Sequence, residues 1–223
     1  MWVPEPVLTA HQASERPQFR TRMPDVLAVD DFFHDPDEVR SVALSQQYGT
    51  DDKHYKGLRS QQRILWPGLR EEFGRLLGRP VTRWLEHGAN GVFQQTTSKD
   101  PLVWHHDTQR FAAAVYLTPD PPTGSGTSFW RDRSHGCRRR PTHPIEQRRL
   151  GNADAVRAAA SAIYDHRNIQ RPDNWELVES VEGLYIRLVI WDASLIHSAT
   201  SYEEFSERGK ADTRLVQLFF FDA

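Results

Sequence analysis

The residues of this chain best able to do chemistry lie in Trp104-His105-His106-Asp107. On an extended segment alternate side chains share a face, so His105 and Asp107 point one way and His106 the other. An imidazole and a carboxylate two residues apart can meet one cation. Among ten histidines, an isolated His-x-Asp triplet reads equally well as a strand histidine and a rim aspartate satisfied by hydrogen bonds. His197, ninety residues after Asp107, follows the apolar run Leu184–Trp191 and a short Asp-Ala-Ser turn. It supplies the third member of a set of two histidines and one carboxylate. Such a set binds Fe(II) and leaves positions open for other ligands. Seventeen residues further on, Arg214 opens the strand Arg-Leu-Val-Gln-Leu-Phe-Phe-Phe and shares a face with Val216, Leu218 and Phe220. An arginine on an apolar inward face is costly unless it meets an anion, and a dicarboxylate cosubstrate would be one.

The elements that must hold these residues follow from pattern. A chain of 223 residues fits one domain over 1–223. An N-terminal arm and helices fill 1–80, and a β core fills 81–223, broken by an insertion or lid at 132–172. Val26–Phe33 reads as a strand. Asp35-Pro36 places an N-cap before a helix at about 36–47, and Leu69, Phe73, Leu76 and Leu77 mark a second helix ended by Gly78. Tyr48–Ser60 is polar and reads as a loop. From residue 80 the period changes, predicting strands at 81–87, 91–97, 102–107, 110–118, 126–131, 175–181, 184–191 and 213–221. Many short strands between turns suit a mainly β fold with flanking helices, a barrel or jelly roll. Within the insertion, Asn152 or Asp154 caps an alanine-rich helix through about Tyr164.

Composition narrows the classes. The one cysteine, Cys137, forbids an internal disulfide and a zinc site built on several thiolates. Mean hydropathy is −0.66. No apolar run approaches a membrane span, and the start lacks a signal-peptide pattern, so a soluble, cytoplasmic protein is expected. Of 28 basic residues only four are lysine, yet the net charge is −2, which argues against nucleic-acid binding.

In the order and spacing of these features over residues 88–223, the chain resembles the Fe(II)/2-oxoglutarate-dependent dioxygenases, specifically the prolyl-4-hydroxylase-like branch. The features are the strand Asn90-Gly91-Val92-Phe93-Gln94, the His-x-Asp strand, the apolar strand 110–118, the glycine-rich turn into Gly126-Thr127-Ser128-Phe129-Trp130, the strand before His197, and Arg214. The resemblance implies a double-stranded β-helix core of jelly-roll, cupin-like form, with the N-terminal helices buttressing one face. It implies Fe(II) on His105, Asp107 and His197, the distal carboxylate of 2-oxoglutarate on Arg214 in a bidentate pair, and a polar cosubstrate contact at Gln94. It implies consumption of O2, release of succinate and CO2, and hydroxylation or another oxidation at carbon; with no recruiting module for a macromolecule in the sequence, a small-molecule substrate such as an amino acid or specialised metabolite in biosynthesis is expected. The retained Asp107 counts against halogenation, for which relatives replace this carboxylate. This branch often carries a tyrosine shortly before His-x-Asp, and Thr96–Val103 offers none.

Other residues bear on substrate and alternatives. Arg131, first of the run Arg131–Arg140, could greet an anionic substrate group from a lid, or the run could be a solvated loop. Tyr55 and Arg59 lie in a loop that could fold over the same mouth. His106 points away from its neighbours and reads as structural, and Ser198 lacks the elbow of an acyl-transfer nucleophile. Arg208 and Arg214 show the R-x5-R spacing of nucleic-acid demethylases, which gives one alternative. A cupin-like metal- or ligand-binding protein without catalysis is the other.

Overall fold

The computed structural model describes residues 25–50, 57–165, 169–206 and 212–223. The elements are β1 (Val26–Val29), α1 (Pro36–Ser45), β2 (Tyr48–Gly49), β3 (Leu58–Ser60), α2 (Leu69–Leu77), β4 (Phe93–Thr96) and β5 (Phe111–Tyr116). They continue with β6 (Thr127–Asp132), α3 (Pro144–Leu150), α4 (Ala153–Tyr164), β7 (Trp175–Val181), β8 (Leu188–Asp192), β9 (His197–Ala199) and β10 (Arg214–Phe221). Every described pairing is antiparallel. A seven-stranded sheet runs β1-β8-β5-β10-β4-β3-β2 and a three-stranded sheet runs β7-β6-β9. The mainly β, jelly-roll expectation holds.

Period-2 alternation on the large sheet explains its position. Phe111, Val115, Leu188, Ile190, Leu215, Phe219 and Phe221 project to one side, where Val39 and Ala43 of α1 and Leu69, Phe73 and Leu77 of α2 cover them. The expected buttress is therefore real. Ala112, Ala114, Tyr116, Val189, Trp191 and Val216 project to the other side, where Phe129 of the small sheet and Leu195 close a second core. α1 begins where Asp35 accepts the amide of Glu38, and α2 stops at Gly78 in the left-handed conformation.

Several expected elements differ. Residues 81–87 and 102–107 form no ladder; each contributes only an isolated bridge, Arg83 to Asp222 and His105 to His197. Residues 90–92 are not strand. Gly91 turns there with φ 86°, and the Asn90 amide is spent on Trp84 O at 2.5 Å and on the amide of Phe220 at 3.1 Å. The ends of the segment read as a loop, 48–60, pair instead as β2 and β3 on the sheet edge; residues 51–56 between them lie outside the described residues. The insertion is anchored by a third core of Trp104, Cys137, Ala159, Ile163, Trp175 and Ile196. Helix α4 starts at the predicted Asn152 cap, whereas α3 before it was not anticipated. Among the described residues no helix is long and apolar enough to cross a membrane.

Phe73 is the keystone of the helix-covered core. Fully buried, it meets Phe32, Trp84, Phe219 and Phe221 at ring separations of 4.9–5.8 Å. Phe73→Ala should lower the unfolding free energy by about 3–5 kcal/mol in a denaturant titration.

Candidate metal centre

The predicted ligands converge. One ligand atom each from His105, Asp107 and His197 lies within 4.8 Å of the others. The small sheet achieves this by extending itself: β6 pairs with β9, and beyond β9 the extended chain at His105 forms a reciprocal bridge with His197. His105 N–H donates to His197 O at 3.0 Å and His197 N–H donates to His105 O at 2.7 Å. Asp107 N–H is held by Ala193 O at 2.8 Å, in the turn that Asp192 closes by accepting the amide and hydroxyl of Ser194. That turn returns the chain from β8 to His197.

Both imidazoles are set in one tautomer. His105 Nδ1 lies 3.0 Å from Val103 O and His197 Nδ1 lies 2.9 Å from Leu195 O. A carbonyl only accepts, so each Nδ1 carries the hydrogen and each Nε2 presents a lone pair. Burial, with His105 beside it, holds the His197 pKa well below the usual histidine range, which keeps it in the neutral, metal-binding form. Burial also raises the pKa of Asp107 against the neighbouring His105, His106 and Arg59. The buried Oδ2 of Asp107 has no hydrogen-bond partner. Its approach to His197 Nε2 at 3.5 Å is not a hydrogen bond, since that nitrogen bears no hydrogen. Two lone pairs and an unsatisfied carboxylate oxygen facing one point are what a divalent cation would satisfy.

These ligands line a cavity of about 630 Å³. Its wall includes the inner face of the large sheet: Trp191, Ala114, Leu218 and Phe220, then Arg214, Gln94 on β4 and Arg59 on β3. Trp191 stands edge-on to His197 at 5.0 Å. Arg214 is buried and locked. Its Nε donates to Ser125 O at 2.9 Å and its Nη2 to Gly126 O at 3.2 Å, while Tyr116 and Tyr202 lie over the guanidinium at 5.3 and 5.8 Å. The guanidinium keeps donors to spare, and among the described residues no carboxylate lies within ion-pair distance of it. Gly126 must be glycine, because a Cβ there would stand 1.8 Å from Val181 O.

Of the other sequence candidates, Gln94 and Arg59 line the cavity and are opposite each other in the β3–β4 register. Arg131 does not line it. Its guanidinium pairs with Glu176 on β7 at 3.3 Å, half exposed, and a bulge on β7 at residue 178 sets Glu176 opposite it. Three further arginines of the run make contacts within the fold: Arg133 donates to Trp175 O, buried Arg139 pairs with Asp25, and Arg140 donates to Thr108 O. Tyr55 and Arg208 lie outside the described residues. Tyr116, Thr127 and Tyr202 were not anticipated. Tyr116 and Thr127 could have been read from strand parity, whereas Tyr202 sits in a turn with no periodicity to announce it.

Residues 91–221 match the model of DUF6445, a family of unknown function. The chain belongs to this family. No curated protein matches this DUF6445 member. Among solved structures it is similar to HygX from Streptomyces hygroscopicus with nickel, 2-oxoglutarate and hygromycin B bound, at 14% identity and a TM-score of 0.48, covering 88% of this chain and 82% of that one. It is also similar to the non-heme iron oxygenase OrfP in complex with Fe, at 13% identity and a TM-score of 0.40, covering 88% and 73%.

Replacing the ligand carboxylate separates its two effects. Asp107→Asn removes a buried unsatisfied charge, so the metal-free variant should be at least as stable as the parent. Mn(II) at about 100 times its Kd should stabilise the parent by about 2.7 kcal/mol and the variant hardly at all. Equal shifts of melting temperature for both proteins would refute the assignment.

Proposed function

We propose that this DUF6445 protein is an Fe(II)- and 2-oxoglutarate-dependent oxygenase that hydroxylates a C–H bond of a small molecule. The observation that carries the reading is the pairing, in one cavity, of the His105–Asp107–His197 cluster with a buried arginine that has spare donors and, among the described residues, no carboxylate partner. His105, Asp107 and His197 would hold the metal through two Nε2 atoms and a carboxylate oxygen. Bound Fe(II) supplies the oxidising chemistry, in which O2 and 2-oxoglutarate are converted to succinate and CO2 as the substrate is oxidised.

The protein's own contributions are orientation and dryness. Arg214 clamps the distal carboxylate of the cosubstrate, and two backbone carbonyls and two tyrosine rings keep the guanidinium from turning. Ala114, Trp191, Leu218 and Phe220 exclude water beside the ligands. The substrate lies against the remaining wall, where Arg59, Glu86, His87, Thr108 and Gln109 provide polar contacts. That wall carries both signs of charge, which favours a polar small molecule over a purely anionic one. The cavity volume fits a small-molecule site.

With Fe(II), 2-oxoglutarate and O2, the purified protein should form succinate slowly even without substrate. Loss of the charge-assisted pair in Arg214→Met should raise the KM for 2-oxoglutarate by roughly 10–100-fold. Absence of succinate, together with absence of a visible charge-transfer band under anaerobic Fe(II) and 2-oxoglutarate, would point to a non-catalytic binding protein.

A further inference from the structure

The end of the cavity away from Arg214 carries a donor that has no acceptor among the described residues. Glu86, His87, Gly88 and Ala89 line this end together with Thr108 and Gln109. Their loop abuts the far end of β10. Asn90 Oδ1 accepts the amide of Phe220, six residues past Arg214, or roughly 20 Å along an extended strand. The loop backbone is clamped from several sides. Arg63 Nη1 donates to Leu85 O at 3.0 Å and to His87 O at 3.2 Å, His87 O also accepts the amide of Asn90 at 3.0 Å, and Asn90 Nδ2 holds Trp84 O.

The hydrogen on the His87 ring is placed by its neighbour. The Thr108 amide donates to Gln109 Oε1 at 3.1 Å, which leaves Gln109 Nε2 toward His87, 3.2 Å from Nδ1. The reverse orientation would set Gln109 Nε2 against the Thr108 N–H, donor facing donor. Gln109 Nε2 can only donate, so His87 Nδ1 accepts and the ring hydrogen sits on Nε2. The ring forms part of the cavity wall, while Nε2 is closed to bulk water and has no hydrogen-bond partner among the described residues. A buried N–H left unsatisfied is costly, and an oxygen brought by a bound molecule would satisfy it. An ammonium group, which has no lone pair, could not. We propose that His87, oriented by Gln109, donates from Nε2 to a hydroxyl, ether or carbonyl oxygen of the substrate and so determines specificity. This inference rests on the proposed function for one point, that the bound molecule is the substrate.

The test is nitrogen NMR of Zn(II)-loaded protein carrying isotope-labelled histidine. It is titrated with dioxane, a ring of two ethers, and with piperazine, the diamine of the same ring size, each with and without 2-oxoglutarate. His87 is assigned by the signals that vanish in His87→Phe, or in His87→Gln should the first variant fail to fold. The parent should show the hydrogen on Nε2 and a bare Nδ1. Dioxane should move the Nε2 hydrogen downfield, and piperazine, which Glu86 can attract, should leave it in place. With the orienting bond removed in Gln109→Leu, about fivefold more dioxane should be needed for the same shift. A hydrogen on Nδ1, no shift with dioxane, or equal shifts with both rings would overturn the assignment. Failure to bind 2-oxoglutarate while dioxane still moves the signal would overturn the proposed function alone.

Discussion

The reciprocal backbone bridge between His105 and His197 is the constraint on which the site depends. Two hydrogen bonds join residues 92 positions apart and fix both Cα atoms. Each ring is then fixed by a carbonyl two residues before it on its own segment. Direction and tautomer are therefore set by backbone atoms, which no side-chain rearrangement nearby can easily disturb. The ring centroids stand 4.4 Å apart as a consequence, with Asp107 carried alongside by its own amide bond to Ala193.

Around that bridge the structure accepts the cost of isolated polar groups. Asp107 and Arg214 both reach the cavity without an opposite charge inside hydrogen-bond range among the described residues. Two buried charges elsewhere among the described residues are paired: Arg139 meets Asp25, and Glu146 accepts the amides of Arg138 and Arg139 and the guanidinium of Arg149. Unpaired groups of both signs in one cavity, in contrast to the paired Arg139 and Glu146, are the physical reason to propose a cation and an anion there.

The two faces of the large sheet divide the labour. The helix-covered face is packed with aromatic rings around Phe73 and provides rigidity. The inner face is lined toward the cavity by alanines and a few large residues, which leaves room for ligands between two sheets. The small side chain at Ala114, where a strand would ordinarily carry a branched one, helps make that space.

Strand parity and spacing in the sequence determined the helix caps at Asp35 and Asn152, the stop at Gly78, the inward face of Arg214 and the common direction of His105 and Asp107. These depend on local rules of period and capping, which act over a few residues. Tertiary structure alone decided the rest. The His-x-Asp segment is a single bridge and not a ladder strand, because its partner is the three-residue β9 and its continuation is claimed by the turn at Ala193. The bulge on β7 at residue 178 set Glu176 opposite Arg131, which pairs with it away from the cavity wall. Tyr202 came over the guanidinium from a turn, and the pairing of Tyr116 with Thr127 arose between strands of different sheets. Such contacts join residues far apart in the chain, and no local period encodes which of them meet.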